Sequence, residues 1–468
     1  MKKRVVVAMT AAGLAAATAA HAQSSVTLYG IVDNGLAYQN NAAPSTGATS
    51  GGHSKVSMST GVWAGSRFGL KGNEDLGGGT KAIFQLEAGV NTATGASQWS
   101  GGIFTRQAWV GLTNAAYGTL TAGRQYTAYY TLLSPYSPTT WLTGAYGAHP
   151  GDIDSLDTSY RANNSLVYMS PKFYGFTVGG SYSFGGVPGS VNRGSTWSAA
   201  IQYLNGPAGI AVGYQRVNNS TLGGGAWGDN STVTSGGQPA VSAINNGYAT
   251  AQSQQRLGVT AGYQFTPAWD VSVSYTNVQY IPGVGSSFRN TAIFNTAGAV
   301  LHWKAAAQWD FAAGYSYTAA TKSNGISSSA KYHQVTLSQY YSLSKRTGLY
   351  ALEAYQHASG NTLSKAGAIQ SATTHRRRRG SRCRPEPDRR RRRHDPPLLM
   401  SRGASAPLPT SGTQYGKTGP RAGFFVGIDT SCATRAHRSI GDFSGSCSPV
   451  SANTTSCAGS LSLALRDT

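Results

Sequence analysis

Few side chains of this chain have the type and spacing to do chemistry, since only 12% of its 468 residues are charged. Three acids, Asp152, Asp154 and Asp157, fall within six residues of one another. Such a cluster could bind calcium, but it lacks the glycine and the terminal glutamate of a calcium-binding loop, so no metal site is predicted. His149, near Asp152, is the one candidate for a hydrolase, which would need a Ser-His or Asp-His set converging at one rim.

Motifs of the common enzyme classes do not occur in the sequence. It contains no G-x-S-x-G elbow, no phosphate-binding Walker loop, no H-E-x-x-H and no C-x-x-C. Glycine runs such as Gly77-Gly78-Gly79 fit tight turns, where a positive φ is needed. We therefore predict that the protein is not an enzyme and needs no cofactor.

The composition instead favours a large antiparallel sheet. The chain has 60 glycines and 26 tyrosines, and 10% of its residues are aromatic. A disordered chain would lack the aromatic residues, and a helical membrane protein would need apolar stretches of about 20 residues, which do not occur after the N-terminus. Scarce charge with abundant Gly, Tyr, Thr and Ser is typical of a sheet whose surfaces need not all face water.

The first 22 residues have the pattern of an export signal. Lys2, Lys3 and Arg4 give a positive start, residues 5–20 are mostly apolar, and Ala20-His21-Ala22 is a small-x-small cleavage site. A membrane anchor is the alternative, but the apolar run is short and is diluted by threonines. We predict a signal peptide over residues 1–22 and export from the cytoplasm.

Residues 376–468 differ in composition from the rest of the chain. They carry +11 of the formal net charge of +21, all four cysteines, and eleven arginines between Arg376 and Arg393. We predict a boundary near His375, with a disordered, Arg-rich, low-complexity tail over 376–468. Polyarginine binds phosphate by charge alone, but the run has no interleaved aromatic residues and belongs to an exported chain, so no specific nucleic acid partner is expected.

Alternation with period two dominates residues 23–375 and predicts strands, in which successive side chains point to opposite faces. Phe176, Val178 and Tyr182, for example, alternate with small or polar residues. Fifteen strands are predicted, over residues 25–38, 57–73, 79–90, 102–113, 118–127, 163–170, 174–184, 196–205, 208–217, 255–266, 268–280, 294–304, 308–319, 331–343 and 347–358.

Short and long connections alternate between these strands, with short turns such as 206–207 and long loops such as 128–162 and 218–254. This rhythm favours an all-β transmembrane barrel with an apolar outside, a polar inside and aromatic residues near the strand ends. Lys and Glu, which usually cover the outer face of a soluble sandwich, are sparse. Single-chain bacterial barrels have even strand numbers, so we expect a sixteenth strand that is missing or replaced.

Several motifs then occur in a fixed order along residues 23–358. They are Ser25-Val-Thr-Leu-Tyr-Gly-Ile-Val-Asp33, Ser66-Arg-Phe-Gly-Leu-Lys-Gly72 followed by Glu74-Asp75-Leu76-Gly77, Arg106-Gln-Ala-Trp-Val-Gly-Leu112, Ala122-Gly-Arg-Gln125, Arg161 with Asn163-Asn164-Ser165, and Ser344-Lys-Arg-Thr347. In this ordered set the chain resembles the general porins of Gram-negative bacteria, especially the beta-proteobacterial trimeric porins with sixteen strands.

The resemblance implies an outer-membrane homotrimer that lets small hydrophilic solutes and ions diffuse passively. Its expected partners are outer-membrane lipid, lipopolysaccharide and the barrel-insertion machinery. In this family the third long loop, here 128–162, folds inward and narrows the pore, so its acids face basic residues of the wall. The resemblance also implies that Arg124, which shares the parity of Leu120 and Ala122, lies outside the lumen near the trimer contact.

The predicted constriction combines the loop acids with five wall residues. Alternation against Phe68 and Leu70 places Arg67 and Lys71 in the lumen, and Glu87 is expected to face inward beside Gln85. Arg106 is expected on the face opposite Trp109, and Arg161 enters the sixth strand from the loop. Several basic groups at a narrow gap favour anions, so a mild anion preference is predicted.

Family members finish with a strand that ends in an aromatic residue, whereas this sequence ends Leu465-Arg466-Asp467-Thr468. We therefore expect residues 376–468 to be a frameshift product, in which 422–430 is a possible but poorly alternating substitute strand. A genuine basic extension is the alternative. Two further functions stay open: an outer-membrane barrel hydrolase, and a non-functional truncated porin whose tail binds polyanions non-specifically.

Overall fold

The computed structural model describes residues 25–42, 53–98, 102–227, 242, 244–374, 421–435 and 464–465. The predicted signal peptide and most of the predicted tail lie outside these residues, so the predicted domain bounds stay predictions. No helix in the described part of the chain is long and apolar enough to cross a membrane.

Antiparallel strands make up most of the described structure. They are β1 (Ser25–Ala42), β2 (His53–Thr60), β3 (Arg67–Gly77), β4 (Thr80–Gly89), β5 (Gln107–Asn114), β6 (Gly118–Gln125), β7 (Ala162–Met169), β8 (Phe176–Ser183), β9 (Thr196–Asn205), β10 (Ala208–Asn218), β11 (Ser253–Thr266), β12 (Trp269–Ile281), β13 (Ala292–Lys304), β14 (Trp309–Ala320), β15 (Lys331–Ser342), β16 (Thr347–Ser359), β17 (Asn361–Leu363), β18 (Ile369–Ser371), β19 (Arg421–Arg435) and β20 (Ala464–Leu465). Three short α-helices, α1 (Ala128–Leu133), α2 (Thr139–Leu142) and α3 (Gly144–Gly147), lie between β6 and β7. Single 3₁₀ turns lie at Ser134–Tyr136, Pro150–Asp152 and Asn246–Tyr248.

Each strand from β3 to β15 pairs antiparallel with the next in sequence. Strands β2 and β3 pair with successive halves of β1 and so occupy one strand position. Strand β19 pairs with β16 on one side and with β1 on the other, so the pairing returns to the first strand. The predicted sixteen-stranded antiparallel sheet of the porin type is confirmed.

The strand predicted over 57–73 is in fact two strands with a bend at residues 61–66. Gly61 has φ 64°, a left-handed conformation that a residue with a side chain rarely adopts. The carboxylate of Asp33 on β1 accepts hydrogen bonds from the backbone N–H groups of Trp63 (2.7 Å) and Ala64 (2.9 Å). The bend is therefore stabilised by a side chain 30 residues away, which strand alternation does not reveal.

The two faces of the sheet differ as the alternation predicts. Large apolar side chains are exposed on the outer face, among them Val110, Leu112, Val273 and Leu301. Aromatic pairs cluster where short turns join the strands; Trp269 stacks on Trp303 at 5.3 Å between ring centroids. An apolar outer band with aromatic residues at its edge fits the hydrocarbon layer and headgroup region of a membrane.

The loop of residues 126–161, named here the inner loop, packs against the inner face of the sheet. Its backbone carbonyls accept hydrogen bonds from inward side chains of several strands: Gln202 to Leu132, Thr260 to Leu133, Ser338 to Trp141 and Thr336 to Tyr146. Because these donors lie on β9, β11 and β15, the inner loop crosses the interior from one wall to another. The predicted inward fold of this loop is confirmed.

Glycines on the inner face let the inner loop approach the wall closely. A Cβ atom built on Gly258 would lie 2.7 Å from both Leu133 Cδ2 and the hydroxyl of Tyr129. One built on Gly314 would lie 2.3 Å from Leu142 Cδ1. Since Tyr129, Leu133 and Leu142 are buried, these contacts have little room to relax.

Part of the predicted tail departs from the prediction of disorder. Arg421–Arg435 forms β19, which includes the weakly alternating segment 422–430, and Ala464–Leu465 forms the two-residue β20. Backbone pairing with β16 and β1 does not require alternating side chains, which explains why a poor pattern occurs in a strand. The predicted frameshift falls mainly on residues outside the described part and stays a prediction.

Replacing Gly258 with alanine tests the close approach of the inner loop. The added methyl group overlaps buried side chains of α1, so we expect a loss of about 1–3 kcal/mol in the free energy of unfolding. Urea titration followed by tryptophan fluorescence measures this loss. Gly180→Ala is the matched control, because its nearest neighbour is Ser198 O at 4.0 Å. Equal unfolding midpoints for the two variants would contradict the proposed packing.

Candidate functional site

The candidate site lies where the inner loop faces strands β1, β3 and β4. A cavity of about 340 Å³ separates the loop from this wall. The wall side of the cavity is formed by Ile31, Gly61, Trp63, Ala64, Gly65 and Arg67, and the loop side by Tyr130, Ser134, Pro135, Thr139, Thr140, Thr143, Gly144, Asp157 and Thr158. The lining is mostly polar, as a route for hydrated solutes requires.

Glu87 on β4 is the centre of the basic cluster on the wall. Its Oε1 lies 2.6 Å from Nε of Arg106, and its Oε2 lies 3.7 Å from Nε of Arg67. The hydroxyl of Tyr29 donates a hydrogen bond of 3.0 Å to the same Oε2. Arg106 is 1% exposed, whereas 22% of the Arg67 side chain is exposed. Arg67 is thus the member of this cluster that reaches the cavity.

Arg161 joins the cluster through Tyr126. Its guanidinium carbon lies 4.5 Å from the centroid of the Tyr126 ring, and it donates hydrogen bonds to the Tyr126 hydroxyl and to Thr158 O. Arg106 also reaches the Tyr126 hydroxyl, at 3.5 Å. Glu87 lies within electrostatic range of Arg67, Arg106 and Arg161, so three positive groups share this carboxylate. The local charge is therefore positive.

Lys71 has the same parity as Arg67 and lies four residues further along β3. It is exposed, and its Nζ lies 5.2 Å from the centroid of the Tyr29 ring, an arrangement that allows a cation–π contact. The charge of Lys71 is thus held on the inner wall beside the Glu87 cluster.

The three predicted loop acids do not share one position. Asp157 lines the cavity, on the side opposite Arg67. Asp152 is buried within the loop, where it accepts hydrogen bonds from the Asp157 N–H (3.0 Å) and from the Ser159 hydroxyl. Asp154 is buried against β12, where it contacts His149 and Thr276. Asp157 is thus the one of the three predicted acids that lines the cavity, while its carboxylate is also buried and accepts hydrogen bonds from Thr158. Asp152 and Asp154 lie outside the cavity lining.

Asp154, His149 and Ser274 form a chain of contacts that resembles the acid–base–hydroxyl order of a hydrolase. Nδ1 of His149 lies 2.5 Å from Asp154 Oδ2, and its Nε2 lies 3.2 Å from Ser274 Oγ. All three residues are buried, and the cavity at the inner loop does not include them. Because all three side chains are buried and outside the lining of that cavity, we interpret these contacts as a tether between the inner loop and β12.

The structure corrects the prediction that Arg106 and Trp109 lie on opposite faces of the sheet. Trp109 pairs with Gln85 and its Nε1 donates to Gln107, so Trp109 lies on the inner face, together with Gln107. Arg106 has the outward parity of Val110, but it lies just before β5, which begins at Gln107. The backbone N–H of Arg106 donates a hydrogen bond to Glu87 O, and the Arg106 side chain turns inward to the Glu87 carboxylate. The Arg106 side chain thus lies on the lumen side, as predicted, but strand alternation against Trp109 is not the reason.

Arg124 has the outward parity of Leu120 and Ala122, which are exposed. Its guanidinium donates to Thr105 O at 2.6 and 2.8 Å and to Asn163 Oδ1 at 2.5 Å. It thus links the segments that precede β5 and open β7. Its role in a trimer contact stays a prediction.

Sequence reasoning missed Asp33, Trp63 and Tyr126. Asp33 is fully buried, and besides Trp63 and Ala64 it accepts a hydrogen bond of 2.7 Å from the Tyr350 hydroxyl on β16. It thereby fixes the bend that carries Trp63 into the cavity. An acid at an inward position of a transmembrane strand is a signal that could have identified Asp33.

In the described part of the chain, no group of three or more His, Cys, Asp or Glu side chains is arranged to hold a metal ion. The fold and the site together define a class of protein, namely a sixteen-stranded transmembrane β-barrel with a loop folded into its interior. Residues 8–361 match the family model of the Gram-negative porins. The chain belongs to this family, and the outer membrane is its location.

Curated relatives and solved structures agree with this assignment. An outer membrane porin protein of Bordetella pertussis is 36% identical over 240 residues, which are 47% of this chain and 60% of that relative. Outer membrane porin protein 32 of Delftia acidovorans is 30% identical over 363 residues, 75% of this chain and 88% of the relative. The chain thus spans less than two thirds of the first relative and most of the second.

Two solved structures share the fold. An anion-selective porin from Comamonas acidovorans superimposes with a TM-score of 0.59 at 23% identity, over 88% of this chain and 100% of that chain. The outer membrane protein OmpT of Vibrio cholerae, in its trimer form, gives a TM-score of 0.52 at 15% identity, over 88% of this chain and 99% of that one.

Removing the charge of Glu87 tests whether this carboxylate holds the basic cluster together. In Glu87→Gln the buried guanidinium of Arg106 loses its ion pair, so we expect a loss of about 3–5 kcal/mol in the free energy of unfolding, measured by urea titration. Adding Arg106→Gln should recover part of the loss. Glu74→Gln, at an exposed position near the end of β3, is the control. A loss no larger than that of the control would show that the cluster does not depend on Glu87.

The tether at Asp154 predicts a dependence of stability on pH. Burial alone would raise the pKa of Asp154, but His149 and the hydroxyl of Thr276 hold this pKa below its usual range. The folded state therefore keeps the carboxylate ionised where the unfolded state binds a proton. The resulting stabilisation is complete above the unfolded pKa of about 4 and is lost as pH falls through the folded pKa.

We expect Asp154→Asn to flatten this acid limb in a series of unfolding titrations between about pH 2 and pH 6. The variant should also be less stable at neutral pH, since His149 loses its partner. Asp75→Asn, at an exposed position near the end of β3, is the control and should keep the slope of the unaltered protein. An acid limb that is equally steep in Asp154→Asn would rule out this carboxylate as its source.

Proposed function

We propose that the protein forms a water-filled channel through which small hydrophilic solutes and ions diffuse passively across the outer membrane. The observation that carries the proposal is the cavity of about 340 Å³ between the inner loop and the wall, which is lined by hydroxyl groups and by the charges of Arg67 and Asp157. An apolar outer face and a polar inner face fit a barrel in lipid around an aqueous route.

We further propose a mild preference for anions. Three guanidinium groups around Glu87 leave an excess of positive charge beside the route, and Lys71 adds to it. One charge at about 8 Å in water changes the energy of an ion by only about 0.5 kcal/mol, so a single arginine would have little effect. Several such charges in a narrow, low-dielectric gap add to several kT. The anion-selective porin with the same fold supports this direction.

The assembly proposed is a homotrimer, supported by the trimer form of the solved OmpT structure with the same fold. Arg124 is proposed as a contact residue because it is an arginine with outward parity on a face that is otherwise apolar. The proposed organisation is a signal peptide (1–22), the barrel (23–375) and an Arg-rich tail (376–468). Lipopolysaccharide and the barrel-insertion machinery are proposed partners.

We assign no catalytic activity to the chain. The arrangement of Ser274, His149 and Asp154 would favour a hydrolase only if a substrate reached the serine, and all three side chains are buried. The proposed constriction therefore consists of Arg67, Lys71, Glu87, Arg106, Asp157 and Arg161. Asp152 and Asp154 are proposed to hold the inner loop in place.

Planar-bilayer recording on the full chain tests the channel directly. Reconstituted protein should give stepwise conductance increases in potassium chloride, and in a salt gradient the reversal potential should have the sign of chloride selectivity. Protein that inserts without conductance steps would refute the channel.

The selectivity test compares Arg67→Gln with Lys172→Gln, which removes an exposed charge on a short turn. Because Arg67 reaches the cavity, we expect its replacement to move the reversal potential toward cations, while the control leaves it unchanged. Identical reversal potentials in both variants would show that Arg67 does not contribute to selectivity.

A further inference from the structure

A stacked pair of rings supports α2 away from the cavity. The indole of Trp141 lies over the imidazole of His302 on β13, with ring centroids 3.4 Å apart and an angle of 2° between the planes. The His302 side chain is 5% exposed, and neither ring lines the cavity. Thr139 and Thr140, in the same turn of helix, do line it. The stack therefore fixes a helix whose other residues border the cavity.

Both ring nitrogens of His302 lie beside carboxylates. Nδ1 is 2.6 Å from Oδ2 of Asp270, and Nε2 is 3.2 Å from Oδ1 of Asp310. An ionised carboxylate only accepts hydrogen bonds, so both nitrogens must donate, and an imidazole with two N–H groups carries a positive charge. The antiparallel register explains the placement, because Asp270 on β12 is directly opposite His302.

The charges of this cluster balance when His302 is protonated. Nζ of Lys304 lies 3.3 Å from Oδ1 of Asp310, so two cations face two carboxylates. The facing side chains from the inner loop and from β15 are Trp141 and Tyr340, of which Tyr340 is directly opposite Asp310. A neutral His302 would leave one carboxylate without its imidazole donor, and the indole would lose its cation–π contact.

We propose that His302, as an imidazolium, is a positioning residue for the channel, which holds α2 through Trp141 and thereby keeps the width of the cavity constant. This inference rests on the proposed channel function and adds to it a residue outside the cavity. The apolar contacts of Leu142 with Val300 and Ala312 also hold α2 on the wall, but they do not depend on pH. When His302 loses its second proton at alkaline pH, α2 keeps only these contacts and fluctuates beside the cavity.

The test is planar-bilayer recording on the full chain in potassium chloride, with the pH stepped from about 6 to about 10, a range that includes the titration of histidine. We expect the open-channel current noise to rise about twofold or more across this series, because α2 then exchanges between positions.

Variants of His302 and Trp141 separate the charge from the ring stack. His302→Gln has no charge at any pH, and Trp141→Leu has no indole, so both should be noisy throughout the series. His302→Arg keeps a planar, permanently charged group with N–H donors that can stack on the indole, so it should stay quiet throughout. His333→Gln is the matched control for loss of an imidazole elsewhere. His333 shares the outward parity of the exposed Val335, so this variant should keep the pH response of the unaltered protein.

Fluorescence provides a readout that does not need conduction. A protonated imidazole quenches an indole on which it stacks, so the emission difference between the unaltered protein and Trp141→Leu should grow as the pH rises. This measurement decides the question if the His302 variants fail to insert.

If the channel conducts but its noise does not change with pH, or if His302→Arg responds to pH as the unaltered protein does, the positioning role is refuted and the channel stands. An emission difference that is independent of pH would also refute the role. An absence of conductance steps would instead refute the channel itself.

Discussion

The need to pair every backbone N–H and C=O group in lipid is the constraint on which the rest of this structure depends. A sheet meets it only when its first and last strands also have partners. Here β19 pairs with both β16 and β1, so the antiparallel pairing continues around the structure. In such a closed sheet, the alternation of side chains has the same structural consequence along every strand. Each residue faces either the membrane or the interior, and polar chemistry is confined to the interior.

The interior is narrowed by close packing as much as by charge. Inward glycines such as Gly258 and Gly314 leave room for α1 and α2, and inward hydroxyl groups bind the carbonyls that these short helices expose. The loop therefore occupies the side of the barrel lined by β8 to β16, and the cavity remains beside β1 and β3. The Glu87 cluster lies beside β1 and β3 as well, and its member Arg67 borders the cavity.

Strand positions and faces could be predicted because a strand repeats every two residues. The split at residues 61–66 could not, because it depends on Asp33, which is distant in sequence. Alternation gave the wrong face for Trp109 because the predicted strand included Arg106. In the structure β5 begins one residue later, at Gln107, so the direction of the Arg106 side chain does not set the face of Trp109. The loop acids were grouped by their sequence spacing, but a loop has no fixed period. Their separation into one cavity residue and two anchoring residues depends on tertiary contacts with His149, Ser159 and Thr276.

The hydrogen bond between Tyr350 and Asp33 joins β16 to β1 on the inner side, across the strand that lies between them. The backbone partner of Tyr350 on that strand is Gly427, which has no side chain to obstruct the bond. The two flanking strands are thus linked by their own side chains, whatever the sequence of the strand between them. What this link requires of the intervening segment is backbone pairing and a small residue opposite Tyr350. This seam is consequently where an engineered strand could be exchanged without loss of the side-chain link between β1 and β16.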